Sequence, residues 1–274
     1  MALSGTPLND AQIASYWADG YLSKIDVLTT HQAHQAKAKL IALEASEVAL
    51  DPQRWCSDTH QPWQEPGSPW WHWFMGMCTH PTILRAVSQL LGPNLLIRNA
   101  DIFVKVANSS RAIQWHTDTT ASTEDAGKML TAWLALTDST EENGCMQWAK
   151  GSHRLPLPPE VKDKHSLGLS PESCAMLDST PKFSNLLHPG QMSLHHFRTL
   201  HRSGGNVTCH PRIGLVIRFM AADTPLEAAE SGTGVLVSGE NAPGHFDLRK
   251  RITVTWNRSE TAQLVSAATP SDFG

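Results

Sequence analysis

This chain has little of what membrane-spanning, secreted and nucleic-acid-binding proteins require. It contains no run of about 18 apolar residues, the length that a spanning helix needs. Its first residues show no basic region followed by an apolar stretch, so we expect no secretory signal. Charged residues make up only 18% of the chain, the net charge is -4, and no basic stripe is present. The sequence therefore predicts neither nucleic acid nor a membrane as a partner.

The cysteines follow none of the common disulfide or redox patterns. They are five in number, which is odd, and they are scattered without a Cys-x-x-Cys pair. The positions are Cys56, Cys78, Cys145, Cys174 and Cys209. A reduced, cytoplasmic setting with mostly structural cysteines is the expectation from this pattern.

What the chain does contain is enough apolar sequence for a large core, together with many histidines. Hydrophobic residues account for 41% of the 274 residues, and there are 14 histidines and 10 tryptophans. A chain of this length can form one large domain or two small ones, and there are no internal repeats and no low-complexity linker. We predict a single domain over residues 1–274. Histidines indicate a site only where their spacing has a chemical meaning.

The helical part of the chain lies at the front, over about residues 1–93. The punctuation by Pro, Thr and Gly and the apolar spacing predict three helices and one short strand. The helices are expected at 6–20, from Thr29 or Thr30 to about 47, and at 81–91, with the strand at 21–27. Residues 51–70, rich in Pro, Trp and Gln, are expected to be irregular.

From about residue 94 to 240 the pattern becomes that of β-structure. The candidate strands are 95–106, 112–119, 129–137, 146–149, 192–197, 213–220 and 234–237. Pro, Gly, Asn and Ser punctuate these runs, which is typical of a β-barrel or jelly roll. An insertion at 155–186 is long enough to suggest a functional lid. We predict a mainly β fold with N-terminal helices packed on it.

A histidine and an aspartate two residues apart, His116 and Asp118, are the first candidate site. In a strand these side chains project to the same side, which supplies two potential metal ligands. A His-x-Asp pair alone is more often a surface pair than a metal site. A third ligand is offered by His201, at the edge of a tight Ser-Gly-Gly-Asn turn, and Arg212 opens the strand that follows.

Together these motifs resemble those of the phytanoyl-CoA dioxygenase family of Fe(II)- and 2-oxoglutarate-dependent oxygenases, over about residues 10–220. The matching stretches are Trp115-His116-Thr117-Asp118, Thr131-Ala132-Trp133-Leu134-Ala135-Leu136, Glu142-Asn143-Gly144-Cys145-Met146, Gly151-Ser152-His153, Leu200-His201-Arg202-Ser203-Gly204-Gly205-Asn206 and Arg212. The separation of 11 residues between the second histidine and the arginine also fits the family. The resemblance implies a double-stranded β-helix, a jelly-roll or cupin-like barrel.

The resemblance also implies the cofactors and their ligands. His116, Asp118 and His201 would hold Fe(II) as a facial triad, which leaves the opposite face open to 2-oxoglutarate and O2. Arg212 would bind the far carboxylate of 2-oxoglutarate through paired charge-assisted hydrogen bonds. The other co-substrate contacts are expected from Ser203, Trp133 and Thr131.

The implied reaction is hydroxylation of an unactivated C–H bond in a small polar metabolite, with release of succinate and CO2. Amino acids, betaines, phosphonates and natural-product intermediates all remain open as substrates. Asn99, Lys105 and His196 are the candidate substrate contacts, whereas Arg218 is interpreted as structural or as part of the pocket rim. Related halogenases carry a small residue at the position of Asp118, so the retained carboxylate favours hydroxylation over halogenation.

Two other functions use the same residues differently. A zinc hydrolase could employ the same three ligands with a bound water, although Arg212 would then have no purpose. A β-barrel binding protein could keep the triad without turnover. The sequence leaves the oligomeric state open.

Overall fold

The computed structural model describes residues 5–50, 69–118, 128–155, 177–224, 233–242, 244, 246–248 and 254–258. Within these residues the chain is mainly β, with helices concentrated at the front. The helices are α1 Asp10–Asp19, α2 Thr30–Leu50, α3 Pro69–Cys78 and α4 Pro81–Leu91. The strands are β1 Tyr21–Asp26, β2 Leu95–Lys105, β3 Ile113–His116, β4 Met129–Ala135, β5 Met146–Ala149, β6 Lys182–Ser184, β7 Gln191–His196, β8 His201–Ser203, β9 Arg212–Ala221, β10 Thr233–Ser238, β11 Asp247–Leu248 and β12 Val254–Arg258.

The strands form two sheets. The larger has the order β1-β7-β4-β9-β2-β10-β11, with β12 also paired to β2, and the smaller has the order β3-β8-β5-β6. The pairings are antiparallel except β10 with β11 and β12 with β2. A pocket lies between the sheets, since residues of both sheets line it.

Alternation along β9 shows how the large sheet separates core from pocket. Ile213, Leu215 and Ile217 belong to the main hydrophobic core, which they share with residues of the helices. Arg212 and Arg218, at positions of the opposite parity, line the pocket instead. Because successive strand side chains point to opposite faces, one strand supplies both the core and the site.

Helix α4 covers the core face of the large sheet. It buries Ile83, Leu84, Val87 and Leu90 at helical spacing, and they join the same cluster as the core residues of β9. The predicted bounds of this helix are those observed. Helices therefore close one face of the sheet and leave the pocket face to the smaller sheet.

Helix α1 begins later than the sequence suggested. Asn9 is its N-cap, and Asn9 and Gln12 form a capping box in which each side chain accepts from the other residue's backbone N–H. This reciprocal satisfaction of two backbone donors fixes the start of the helix, so the predicted start at residue 6 is wrong. Gly20, at φ 85°, ends it as expected.

The N-terminal part of the chain also contributes a strand to the large sheet. Strand β1, which the sequence predicted, pairs with β7 and extends the large sheet. Helix α3 was not predicted, because aromatic residues and Met at 69–78 give no clear helical period. Strands β6, β8, β11 and β12 were also missed, and β6 lies within the predicted insertion. Residues 51–68 and 156–176, most of the predicted irregular segment and of the insertion, lie outside the described residues.

None of the helices in the described part of the chain is both long and apolar enough to cross a membrane.

Candidate metal and co-substrate site

Three potential metal ligands meet at one end of the pocket. His116 ends β3, His201 begins β8, and these two residues are directly paired in the small sheet. Asp118 lies in the bend after β3, where its backbone N–H donates to the carbonyl oxygen of Phe197 over 2.9 Å. The ligand atoms of the three residues lie within 4.8 Å of one another. The structure thus brings together the histidines and the carboxylate that the sequence grouped.

Both histidines present the same nitrogen to the centre of this group. Nδ1 of His116 lies 2.9 Å from the carbonyl oxygen of Gln114, and Nδ1 of His201 lies 2.9 Å from that of Thr199. A ring nitrogen that faces a carbonyl oxygen carries the proton, so Nε2 is left as an electron-pair donor. Burial lowers the pKa of both imidazoles, which keeps them neutral and able to bind a metal ion.

Asp118 is held by three side chains of the large sheet. Its Oδ2 accepts from Thr131 Oγ1 over 2.5 Å and lies 2.9 Å from His195 Nε2. Its Oδ1 lies 3.4 Å from a terminal nitrogen of Arg218. Burial alone would raise the pKa of this carboxyl, but Arg218 and the His195 hydrogen bond hold it well below its usual value. Asp118 is therefore ionised.

The guanidinium of Arg218 lies between two carboxylates. It forms an ion pair with Asp101 on β2 in addition to its contact with Asp118. These two aspartates raise the pKa of the guanidinium against the effect of burial. Arg218, which the sequence led us to interpret as structural or as part of the rim, lines the pocket beside the potential metal ligand Asp118.

The other end of the pocket holds Arg212. Its guanidinium donates to the carbonyl oxygen of Gly144 over 2.6 Å and lies 5.1 Å from the ring centre of Trp133 and 5.5 Å from that of Phe103. Its Nε is buried without a hydrogen-bond partner. Burial lowers its pKa to about 10. Within the described chain, Arg212 takes part in no ion pair, so its charge faces the pocket uncompensated.

Lys105 lies directly across from Arg212 in the pairing of β2 with β9. It is fully buried, and its ammonium donates to the carbonyl oxygen of Arg111 over 3.2 Å. Burial, with further contributions from Arg212 and Arg111, lowers the pKa of Lys105 to about 7. Two buried cationic side chains thus adjoin each other, and in the part of the chain that the structure describes neither is paired with a carboxylate.

Backbone packing places Arg212 and the turn after β8. Asn206 is fully buried, and its amide donates to the carbonyl oxygens of Lys105 and His210 over 3.1 and 2.8 Å. Gly214 leaves room for the indole of Trp133, since a Cβ at this position would lie 2.2 Å from the ring. The Ser-Gly-Gly-Asn turn is therefore fastened to β2, and the indole can lie beside Arg212.

The predicted co-substrate residues all line the pocket. Ser203 and Trp133 are buried in its walls, whereas the hydroxyl of Thr131 is engaged by Asp118. The predicted substrate residues are placed differently. None of these three residues is among those that line the pocket. Lys105 is paired with Arg212 across β2 and β9, the amide of Asn99 donates to Asp101 over 3.3 Å, and His196 packs near Trp17 and His153.

Three residues of the site were not among the site residues predicted from the sequence: His195, Arg218 and Asp101. Strand alternation would have been enough to favour one of the adjacent histidines, but only pairing of β7 with β4 determines that His195, and not His196, faces Asp118. Arg218 is six residues beyond Arg212, and an even separation on one strand places both side chains on the same face. Asp101 gave no signal of its own.

Comparisons with known proteins agree with this geometry. A model of the phytanoyl-CoA dioxygenase (PhyH) family matches residues 19–214. A probable alpha-ketoglutarate-dependent hypophosphite dioxygenase of Stutzerimonas stutzeri is 30% identical over 151 residues, which are 52% of this chain and 50% of that protein. A second relative, a phytanoyl-CoA dioxygenase domain-containing protein of Mus musculus, is 28% identical over 152 residues and 52% of its length. The alignments thus span about half the length of these curated relatives.

Solved structures extend the similarity to nearly the whole chain. The apo form of the non-heme monooxygenase ThoJ superposes with a TM-score of 0.69 at 26% identity, covering 96% of this chain and 93% of that one. The epimerase SnoN, solved with Fe3+, alpha ketoglutarate and nogalamycin RO, superposes with a TM-score of 0.61 at 25% identity, covering 78% and 83%. The shared fold therefore includes the helical front end.

Proposed function

Since the chain belongs to the phytanoyl-CoA dioxygenase family, we propose that it is an Fe(II)- and 2-oxoglutarate-dependent dioxygenase. The reaction consumes 2-oxoglutarate, O2 and a substrate R–H, and yields succinate, CO2 and R–OH. One observation carries the proposal. A His-Asp-His group and an uncompensated buried arginine lie in the same pocket.

The metal end fits Fe(II). His116 and His201 are neutral and offer Nε2, and Asp118 is ionised and offers an oxygen. Two imidazoles and one carboxylate with open positions are the donor set of non-heme Fe(II) oxygenases. Bound there, the iron would supply the activation of O2 that the protein's own groups cannot perform.

The arginine end fits the far carboxylate of 2-oxoglutarate. Arg212 has a buried Nε with no partner, and a guanidinium fork can donate two parallel hydrogen bonds to a carboxylate. Lys105 would add a second positive charge beside it, so we propose it as a co-substrate residue rather than a substrate residue. The hydroxyl of Ser203 lines the same pocket and would donate to the anion.

Apolar walls separate the two ends. Phe103, Trp133, Met146 and Val216 line the pocket between the metal ligands and Arg212. The carbon chain of 2-oxoglutarate would lie along these side chains, which exclude water from the keto group and orient it toward the metal end. The protein would therefore bind the co-substrate at both of its ends and exclude water from it.

The substrate is proposed to be a small polar metabolite that lies beside Asp101, Arg218 and Asn99. The relative named as a hypophosphite dioxygenase adds small phosphorus oxyanions to the amino acids, betaines, phosphonates and natural-product intermediates. The carboxylate of Asp118 favours hydroxylation over halogenation. We also propose that the two sheets form a double-stranded β-helix, that the chain is one domain, and that it acts in the cytoplasm.

The test is turnover on a panel of these substrate classes, with succinate formation and O2 consumption measured together. We expect equimolar succinate formation and O2 uptake with Fe(II), and none in Asp118→Ala. In Arg212→Leu we expect turnover only at much higher 2-oxoglutarate concentration. Hydrolysis of a substrate with Zn2+ and without O2 would support the zinc hydrolase instead. Iron binding without succinate from any substrate would support the binding protein.

A further inference from the structure

The side chains that hold Asp118 form one row across the large sheet. His195 on β7 is directly paired with Thr131 on β4, and Thr131 is directly paired with Arg218 on β9. Directly paired residues on adjacent strands point to the same face of a sheet. The row therefore presents three donors to a single carboxylate, and backbone pairing rather than side-chain flexibility sets their spacing.

The donors are divided unequally between the two oxygens of Asp118. Oδ2 is bound by Thr131 over 2.5 Å and by His195 over 2.9 Å. Oδ1 has only the contact with Arg218, at 3.4 Å, a distance longer than an ordinary N–H···O bond. Oδ2 is thus saturated by two charge-assisted hydrogen bonds, while Oδ1 is left for a stronger partner.

Burial and ring contacts fix the position of the His195 side chain. Its side chain is 2% exposed, its ring lies 6.0 Å from that of Trp148 and 4.7 Å from that of His201, and the carboxylate requires the proton on Nε2. The imidazole therefore touches one potential ligand by ring contact and holds another by hydrogen bond.

We propose that His195 and Thr131 are positioning residues that keep Oδ2 of Asp118 away from the metal, so that the carboxylate binds through Oδ1 alone. The inference rests on the proposed function. An aspartate that binds through both oxygens takes an additional coordination position, and the co-substrate and O2 need all the positions that the triad leaves open. The row thus protects the open face of the metal.

The experiment counts the waters on Mn2+ bound to the protein without co-substrate, by electron spin-echo spectroscopy in 17O-labelled water. An octahedral ion held by three protein atoms keeps about three waters. We expect that number in the wild type and in His195→Gln, whose amide retains a donor. In His195→Phe/Thr131→Val, Oδ2 loses both donors and turns to the metal, so one water is lost.

A second measurement follows 2-oxoglutarate binding to the same Mn2+-loaded proteins by calorimetry. In the double variant the affinity should fall by about tenfold, the effect of one strong hydrogen bond to a charged group. His195→Gln should restore it to within about threefold, which packing alone would not achieve. If the double variant does not fold, the near-isosteric Thr131→Val single variant replaces it. We expect it to lower the 2-oxoglutarate affinity as well, by a smaller factor.

Unchanged water count and unchanged 2-oxoglutarate affinity in folded variants would overturn the inference. Loss of Mn2+ binding in folded variants would overturn it too, since the donors would then be needed to bind the metal at all. The proposed function fails by a different result. If wild-type protein binds no Mn2+, or binds it equally well after His201→Ala, the metal site itself is misassigned.

Discussion

The two ends of the pocket are both charged, but they are compensated in opposite ways. At the metal end, Arg218 is paired with Asp101 and Asp118, and Asp118 is also held by His195 and Thr131. At the other end, Arg212 and Lys105 donate only to backbone carbonyl oxygens in the described chain.

The difference favours the arginine end, rather than the metal end, as the binding site of an anion. Buried charges are costly unless they are paired, and the depressed pKa values of Lys105 and Arg212 reflect this cost. The metal end is already organised around its carboxylate and can accept a cation. In the proposed function, the arginine end gains its missing partner when the far carboxylate of 2-oxoglutarate binds, and this would orient the co-substrate in the pocket.

The largest expected effect comes from removing the uncompensated arginine. Arg212→Leu should lower the affinity for 2-oxoglutarate by about 100-fold or more, because a buried carboxylate loses its charged partner. Mn2+ affinity, measured by electron paramagnetic resonance, should be unchanged because the metal ligands are untouched. Arg212→Lys is the matched variant, which keeps the charge but lacks the fork, and should give an intermediate loss. Equal losses of both affinities would contradict the separation of the two ends.

Replacing Lys105 tests whether the second buried cation contributes to binding. Lys105→Met should weaken 2-oxoglutarate binding by about tenfold, a smaller loss than for Arg212 because the ammonium is a point charge without the fork. The same substitution should raise the thermal midpoint of the co-substrate-free protein, since it removes a buried unpaired cation. Calorimetry and thermal unfolding measure the two effects. A stabilised variant with unchanged 2-oxoglutarate affinity would exclude Lys105 from the binding site.

The same lysine predicts a pH dependence of co-substrate binding. With a pKa of about 7 in the free protein, Lys105 is charged below that pH and loses its proton above it. The bound carboxylate favours the charged form, so 2-oxoglutarate affinity should be highest below pH 7. It should fall as the pH rises, by no more than the roughly tenfold contribution of the charge. Titrations from pH 6 to 9 measure this, and a flat profile in wild type or an unchanged slope in Lys105→Met would contradict it.

At the metal end, neutralising a partner of Arg218 should have the smallest effect. In Asp101→Asn the guanidinium is left to Asp118 and competes with the metal for Oδ1. Mn2+ affinity should fall by about fivefold, a modest loss for a polar neighbour of a metal ligand because the contact is long. Asp138→Asn, an isosteric change at the exposed ion pair with His188, is the control and should change nothing. A higher affinity in Asp101→Asn would show that Arg218 does not compete.

The sequence grouped the candidate metal ligands, which the structure brings together, because the motifs that contain them are short. His116 and Asp118 are separated by one residue, and His201 and Arg212 flank a turn whose glycines and asparagine are recognisable. The strand predicted at 146–149 matches the structure. The strand predicted over 112–119 is wrong at its end, because β3 ends at His116 and Asp118 lies in the bend beyond it. Helix α4 was predicted because Pro and Gly mark its ends.

The groups around Asp118 could not be predicted in the same way. The row His195, Thr131 and Arg218 depends on the register between β7, β4 and β9, and sequence periodicity does not fix the register between strands. A shift of one residue in this register would place His196 rather than His195 in the pocket. The pairing of Lys105 with Arg212 across β2 and β9 has the same origin.

The most direct test of a metal at one end and 2-oxoglutarate anchored at the other is the visible charge-transfer band of the anaerobic Fe(II) protein with 2-oxoglutarate. This band requires the co-substrate to bind the iron itself. We predict it in the wild type, its absence in His116→Ala and Asp118→Ala, and its recovery in Arg212→Leu only at much higher 2-oxoglutarate concentration. A band that persists in His116→Ala and Asp118→Ala would contradict the assigned site.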